Sequence, residues 1–157
     1  MKILMAGIID TQVSNASIIH FGEVVNSFSK YGHDVRVLLP KQLTENPVIN
    51  KDIKISEISL SYSESIFKAF LVNLLMVFWV LIHKPGCDIF ILRWRLLPIG
   101  LFKFTYLLRG EKPVFITEQN GWIEHEMKLQ KVRFSFLGKT LQIIDALSSD
   151  YIIVVSE

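Results

Sequence analysis

The chain has 157 residues, half of them apolar, with a formal charge of +2 at neutral pH. That length is one domain's worth and enough to bury a real core, while so small a charge gives no electrostatic case for a nucleic-acid partner. The lone Cys87 excludes an internal disulfide and a cysteine-built zinc site, and His20, His33, His83 and His125 show no metal-ligand spacing, so a reducing cytoplasmic setting is expected.

Lys2 to Ile9 reads as a first strand, too soon interrupted by Asp10 to be a signal peptide. The polar stretch Asp10 to Asn15 follows, with Ser14 or Asn15 placed to cap a helix in which Ile18, Phe21, Val25 and Phe28 recur at helical spacing. Gly32 stops that helix, and Asp34 to Leu39 is a second strand ended by Pro40. Lys41 to Asp52 is a polar loop, and Ile53 to Leu60 a third, more exposed strand.

After a helix start at Tyr62-Ser-Glu-Ser, the segment Ile66 to Ile82 is almost wholly apolar, broken by Lys68 and Asn73. It sits at the lower length limit for a membrane span, and three readings stay open: a helix packed on the sheet, an interfacial helix, or a span. Asp88 to Leu92 is a strand with no polar alternation, Pro98 to Leu108 a helix, and Val114 to Thr117 another unalternating strand. Trp122 through Ile144 is mostly helical, and Tyr151 to Val155 is a last strand. The order β-α-β-β-α-β-α-β-α-β predicts an α/β, doubly wound, mostly parallel sheet with helices on both faces. Ser156-Glu157 falls where a carboxyl-edge loop would begin, so the domain is expected to continue into a further part.

Ligands of such sheets bind at the carboxyl ends of the strands, and two buried strands end there in polar groups. Arg93 and Arg95 suit bidentate recognition of phosphate or carboxylate, although they could equally make surface pairs with Glu111 or Glu118. Glu118, Asn120 and Gly121 follow the next strand and suit recognition of sugar hydroxyls. Asp10, Thr11, Ser14 and Asn15 would line the cleft from the first loop, and His20 lies one turn into the first helix near the same edge. The first loop has neither G-x-G-x-x-G nor a Walker lysine, so nicotinamide and nucleoside-triphosphate binding are not supported.

Several motifs together resemble a known family. Met1-Lys-Ile-Leu opens on a strand, Lys30-Tyr-Gly-His-Asp-Val35 closes a helix, and Lys84-Pro-Gly-Cys-Asp88, Leu92-Arg93, Pro113-Val-Phe-Ile-Thr-Glu-Gln-Asn-Gly121 and Ser149-Asp-Tyr-Ile-Ile-Val-Val-Ser-Glu157 follow in order. This series resembles the N-terminal half of a GT-B glycosyltransferase, of the large family that includes sucrose synthases and lipopolysaccharide-core glucosyltransferases. The resemblance implies that residues 1–157 form one Rossmann-like acceptor-binding domain. Its implied partners are a C-terminal GT-B domain and a glycan or lipid-linked sugar acceptor, with a peripheral membrane contact left open and no nucleic acid. No tightly bound cofactor is implied, a UDP- or GDP-sugar being the donor of the complete enzyme. The first loop departs from the family's Gly-Gly pair, with side chains from Asp10 to Asn15 in that place. Two rivals stand beside this reading: a non-catalytic adaptor anchored to a membrane through Ile66 to Ile82, and a stand-alone flavodoxin-like binding domain.

Overall fold

The structure is a computed structural model and describes residues 1–7, 16–41, 48–61, 66–93, 99–120 and 136–155. Its elements run β1 (Lys2–Gly7), α1 (Ala16–Lys30), β2 (Asp34–Lys41), β3 (Lys54–Ser61), α2 (Ile66–His83), β4 (Ile89–Arg93), α3 (Ile99–Leu107), β5 (Val114–Asn120), α4 (Phe136–Ser148) and β6 (Tyr151–Val155). The six strands form one sheet in the order β3-β2-β1-β4-β5-β6, and every neighbouring pair is parallel. The doubly wound α/β expectation therefore holds, with a sheet fully rather than mostly parallel.

Strand order reverses between β1 and β4, and right-handed crossovers then place α1 on one face and the later helices on the other. The alternating side chains follow. Ile3, Met5, Val35, Val37 and Ile91 pack beneath Ile18, Phe21 and Val25 of α1. On the opposite face, Leu4, Ala6, Phe90, Leu92 and Phe115 meet Val72, Met76 and Val80 of α2 and Phe102 and Tyr106 of α3. Phe90 is the hub of that second core, its ring centroid 4.9 Å from Phe102 and 5.6 Å from Phe115. Each such ring contributes roughly 2–3 kcal/mol through burial.

Helix α2 is thus the packed crossover that joins β3 to β4, and among the described residues no helix is long and apolar enough to cross a membrane. The helix stop at Gly32 is as expected. Its φ is +81°, and His33 N–H returns to Phe28 O at 3.1 Å, closing the helix in a Schellman-type turn. Pro40, expected to end β2, instead lies inside it, where the β2–β3 register shifts between Leu39 and Lys41; the irregularity removes the need for its missing donor. Of the stretch expected as a polar loop, residues 48–52 are described and less polar in role than in composition: Ile49 is buried beneath α1, and Asn26 of α1 holds them through Val48 O at 2.8 Å and Asn50 N at 2.9 Å. This segment supplies cover where no helix is described between β2 and β3.

The expected strand ends also move. β4 includes Arg93, and β5 runs three residues beyond Thr117. Glu118, Gln119 and Asn120 consequently belong to the strand, not to a loop after it. The ladder explains the extension, because Glu118, Gln119 and Asn120 pair with Ile153, Val154 and Val155 of β6.

Candidate functional site

At the carboxyl edge Gly7 of β1, Arg93 of β4 and Glu118 of β5 stand in register across three adjacent strands, beside the reversal of strand order. That reversal opens the crevice in which doubly wound sheets bind ligands. Arg93 lies two residues beyond Ile91, and Glu118 two beyond Ile116, so both side chains emerge on the α1 face. There the Arg93 guanidinium lies over the Phe21 ring, 5.9 Å from its centroid, and its Nη1 is 3.3 Å from Glu118 Oε1. His20, one turn into α1, brings Nε2 to 3.6 Å from the same carboxylate oxygen.

Burial grades these three groups. The side chains of Arg93 and Glu118 are 6% and 3% exposed, whereas His20 is 40% exposed. A buried carboxylate is costly without a counter-charge, and Arg93 supplies it. Of the two pairings the sequence allowed, Arg93 makes the one with Glu118, buried and not at the surface, while Glu111 is taken by Arg109. Chemically, the cluster presents an imidazole to solvent and orients it from behind. The half-exposed His20 ring stands between solvent and the buried Glu118 carboxylate, where a ring nitrogen can exchange a hydrogen bond with a ligand.

Of the residues singled out in the sequence, His20, Arg93 and Glu118 come together. Asn120 is the last residue of β5, at the same edge. Asp10, Thr11, Ser14, Asn15, Arg95 and Gly121 lie outside the described residues.

A second polar cluster on the opposite face was missed. Asp145 of α4 is wholly buried, and its Oδ1 accepts the Ile99 backbone N–H at 2.7 Å, capping the first turn of α3 from a neighbouring helix. Burial pushes its pKa up, opposed by the hydrogen bond from the Ile99 N–H. Thr117 Oγ1 also meets Ser149 Oγ at 2.7 Å, and the Gln142 side-chain amide donates to Gln119 Oε1 at 3.2 Å. The signal available was a lone acid within the apolar run Ile143-Ile144-Asp145-Ala146-Leu147. Helices α3 and α4 approach closely here, since a Cβ on Gly100 would lie 2.8 Å from Ser148 Oγ.

No protein-family model and no curated protein sequence matches the chain. Solved structures do. The apo form of the lipopolysaccharide outer core galactosyltransferase WaaB superposes with a TM-score of 0.50 at 17% identity, over 74% of this chain and 32% of that one. The Bordetella bronchiseptica enzyme WbmH, solved in complex with NAD+, superposes with a TM-score of 0.51 at 12% identity, over 99% of this chain and 55% of that one. The chain therefore spans 32% and 55% of the lengths of these two proteins. At such identities the likeness establishes the fold, a Rossmann-like α/β sheet shared by a sugar transferase and an enzyme solved with a dinucleotide.

Proposed function

We propose that the chain is the acceptor-binding half of a GT-B glycosyltransferase, which works on a glycan or lipid-linked sugar while a second, C-terminal half holds a UDP- or GDP-sugar. The observation that carries this reading is the buried Arg93–Glu118 pair with half-exposed His20 at the reversal of strand order. Glu118 orients His20, His20 meets the acceptor hydroxyl, and the edge around Arg93, Arg95 and Asn120 receives the remaining polar groups of the sugar. Similarity in fold to the galactosyltransferase WaaB supports the transferase class. A dinucleotide is the weaker candidate, because the sequence that follows β1, Ile8-Ile-Asp-Thr-Gln-Val-Ser-Asn15, has no glycine fingerprint for close approach to a pyrophosphate.

Saturation-transfer NMR with this chain separates the halves. Oligosaccharides bearing phosphate should take up saturation, His20→Ala should abolish it, and UDP- and GDP-sugars should take up little. Strong saturation of the nucleotides with none of the oligosaccharides would overturn the assignment. Transfer from radiolabelled nucleotide-sugars should likewise require a donor-binding half in addition to this chain.

A further inference from the structure

The helix layer opposite the candidate site presents apolar side chains outward as well as inward. On α2, Ala69, Val72, Met76 and Val80 are buried against the sheet, yet Phe70, Phe78 and Ile82, spaced by multiples of four on the other side, are exposed. Helix α3 repeats the pattern: Phe102 and Tyr106 face in, and Leu101, Phe104 and Leu107 face out, Phe104 with 58% of its surface open. On α4, which packs beside α3, Ile143, Ile144 and Leu147 are exposed, Leu147 at 83%. Three neighbouring helices thus share an apolar outer surface, whereas a single exposed leucine would need no explanation.

Charge indicates what covers it. Helices α2, α3 and α4 contain one acidic residue, Asp145, and it is wholly buried. Lys68 near the start of α2, Lys84 just after its end and Lys139 on α4 are exposed, and none of them makes an ion pair among the described residues. A surface that is apolar in the middle, free of exposed acids on its helices and edged by lysines complements an anionic bilayer, with aliphatic and aromatic side chains entering the acyl boundary and ammonium groups among the headgroups.

We infer that the outer face of α2, α3 and α4 docks on an anionic lipid bilayer. The helices lie in the membrane plane and none of them crosses it. The site residues His20, Arg93 and Glu118 sit on the α1 face, so this docking is independent of the function proposed above and can fail without it. Flotation of the chain with vesicles tests it. The chain should float with vesicles of phosphatidylcholine containing 30% phosphatidylglycerol (~3:7, a composition in the range where surface charge matters), and stay behind with phosphatidylcholine alone. Salt at about 0.5 M should lower the bound fraction at least about threefold, because screening weakens the lysine contribution. Phe78→Ser with Phe104→Ser, two exposed positions, should abolish flotation while the far-ultraviolet dichroism, recorded alongside, stays that of the wild type. Ile19→Ser, an exposed apolar position on α1, should leave it unchanged. Flotation of the double variant equal to wild type overturns the inference. So does a wild-type chain that never floats but runs as a dimer that the double variant dissociates, which would make the occupant a second copy.

Discussion

The two ends of the sheet are built from the same kinds of charged residue and use them differently. At the amino edge, Asp88 and Asp150 stand immediately before β4 and β6, and each brackets one residue of the strand beside it. The Asp88 N–H donates to Lys2 O at 2.8 Å while its carboxylate accepts the Lys2 N–H at 2.7 Å; Asp150 does the same to Phe115, at 2.8 Å in both directions. These aspartates satisfy backbone groups at strand starts, where a ladder would otherwise begin with open donors. At the carboxyl edge, the Glu118 side chain engages those of Arg93 and His20. One end spends its charges on the backbone, and the other keeps them in a side-chain cluster that a ligand can join.

The sharpest way to break this contrast is to remove Arg93. Arg93→Met leaves Glu118 buried without its counter-charge and should destabilise the fold by about 3 kcal/mol in urea denaturation. Arg93→Met combined with Glu118→Leu should recover most of that loss, because two apolar side chains no longer need each other's charge. If the single and double variants are equally unstable, the pair is not the unit described here.

The amino-edge device should cost less. Asp150→Ala removes the acceptor of the Phe115 N–H and the partner of Lys103, an exposed site where a loss of about 1 kcal/mol is expected. Its pH dependence has a defined sign. Lys103 and then the Phe115 N–H hold the Asp150 pKa below the ordinary 3.8, so its contribution is present above pH 3.8 and disappears as pH falls through the lowered value. Wild type should therefore lose more stability than Asp150→Ala on acidification below pH 3.8.

Asp145 should tilt the curve the other way. Burial raises its pKa above 3.8, so its favourable contribution is complete below pH 3.8 and is lost as pH rises through the raised value. Asp145→Asn keeps an oxygen for the Ile99 N–H and removes the cost of ionisation. Its stability relative to wild type should improve as pH climbs from 3.8 toward neutrality, by a few tenths of a kcal/mol or more (order-of-magnitude,). An unchanged difference across that interval would show that Asp145 ionises as freely as a surface carboxylate.

How much of this was legible in the sequence follows from which forces write local patterns. The buried strands announced themselves because Ile89-Phe-Ile-Leu92 and Val114-Phe-Ile-Thr117 lack polar alternation, and α1 because Ile18, Phe21 and Val25 share one face. Arg93 and Glu118 were found by where those runs ended. Their mutual burial was not legible, since it depends on β4 and β5 lying in register, which no local pattern states. Asp145 escaped for the same reason: its partner Ile99 is 46 residues away and on another helix. Asp88 and Asp150 were visible as the polar residue before an apolar run, but the bracketing hydrogen bonds arise only once a parallel neighbour is present. The Phe70, Phe78 and Ile82 stripe was hidden by the uniform apolarity of α2, in which inward and outward faces read alike.

Cys87 offers the mildest probe of the amino edge, one that leaves stability untouched. Its thiol donates to Tyr106 Oη at 3.3 Å, and Tyr106 in turn donates to Pro85 O at 2.8 Å, so the thiol belongs to the structural end of the sheet. Burial pushes its pKa up to about 11. Thiolate is the reactive form, and a free cysteine near pKa 8.5 would approach its plateau of labelling by about pH 9.5. Cys87 should instead react slowly at pH 8 and continue to gain about tenfold per pH unit through pH 10. A plateau below pH 10 would mean that this end of the sheet also holds an activated group, and the division of labour between the two edges would fall.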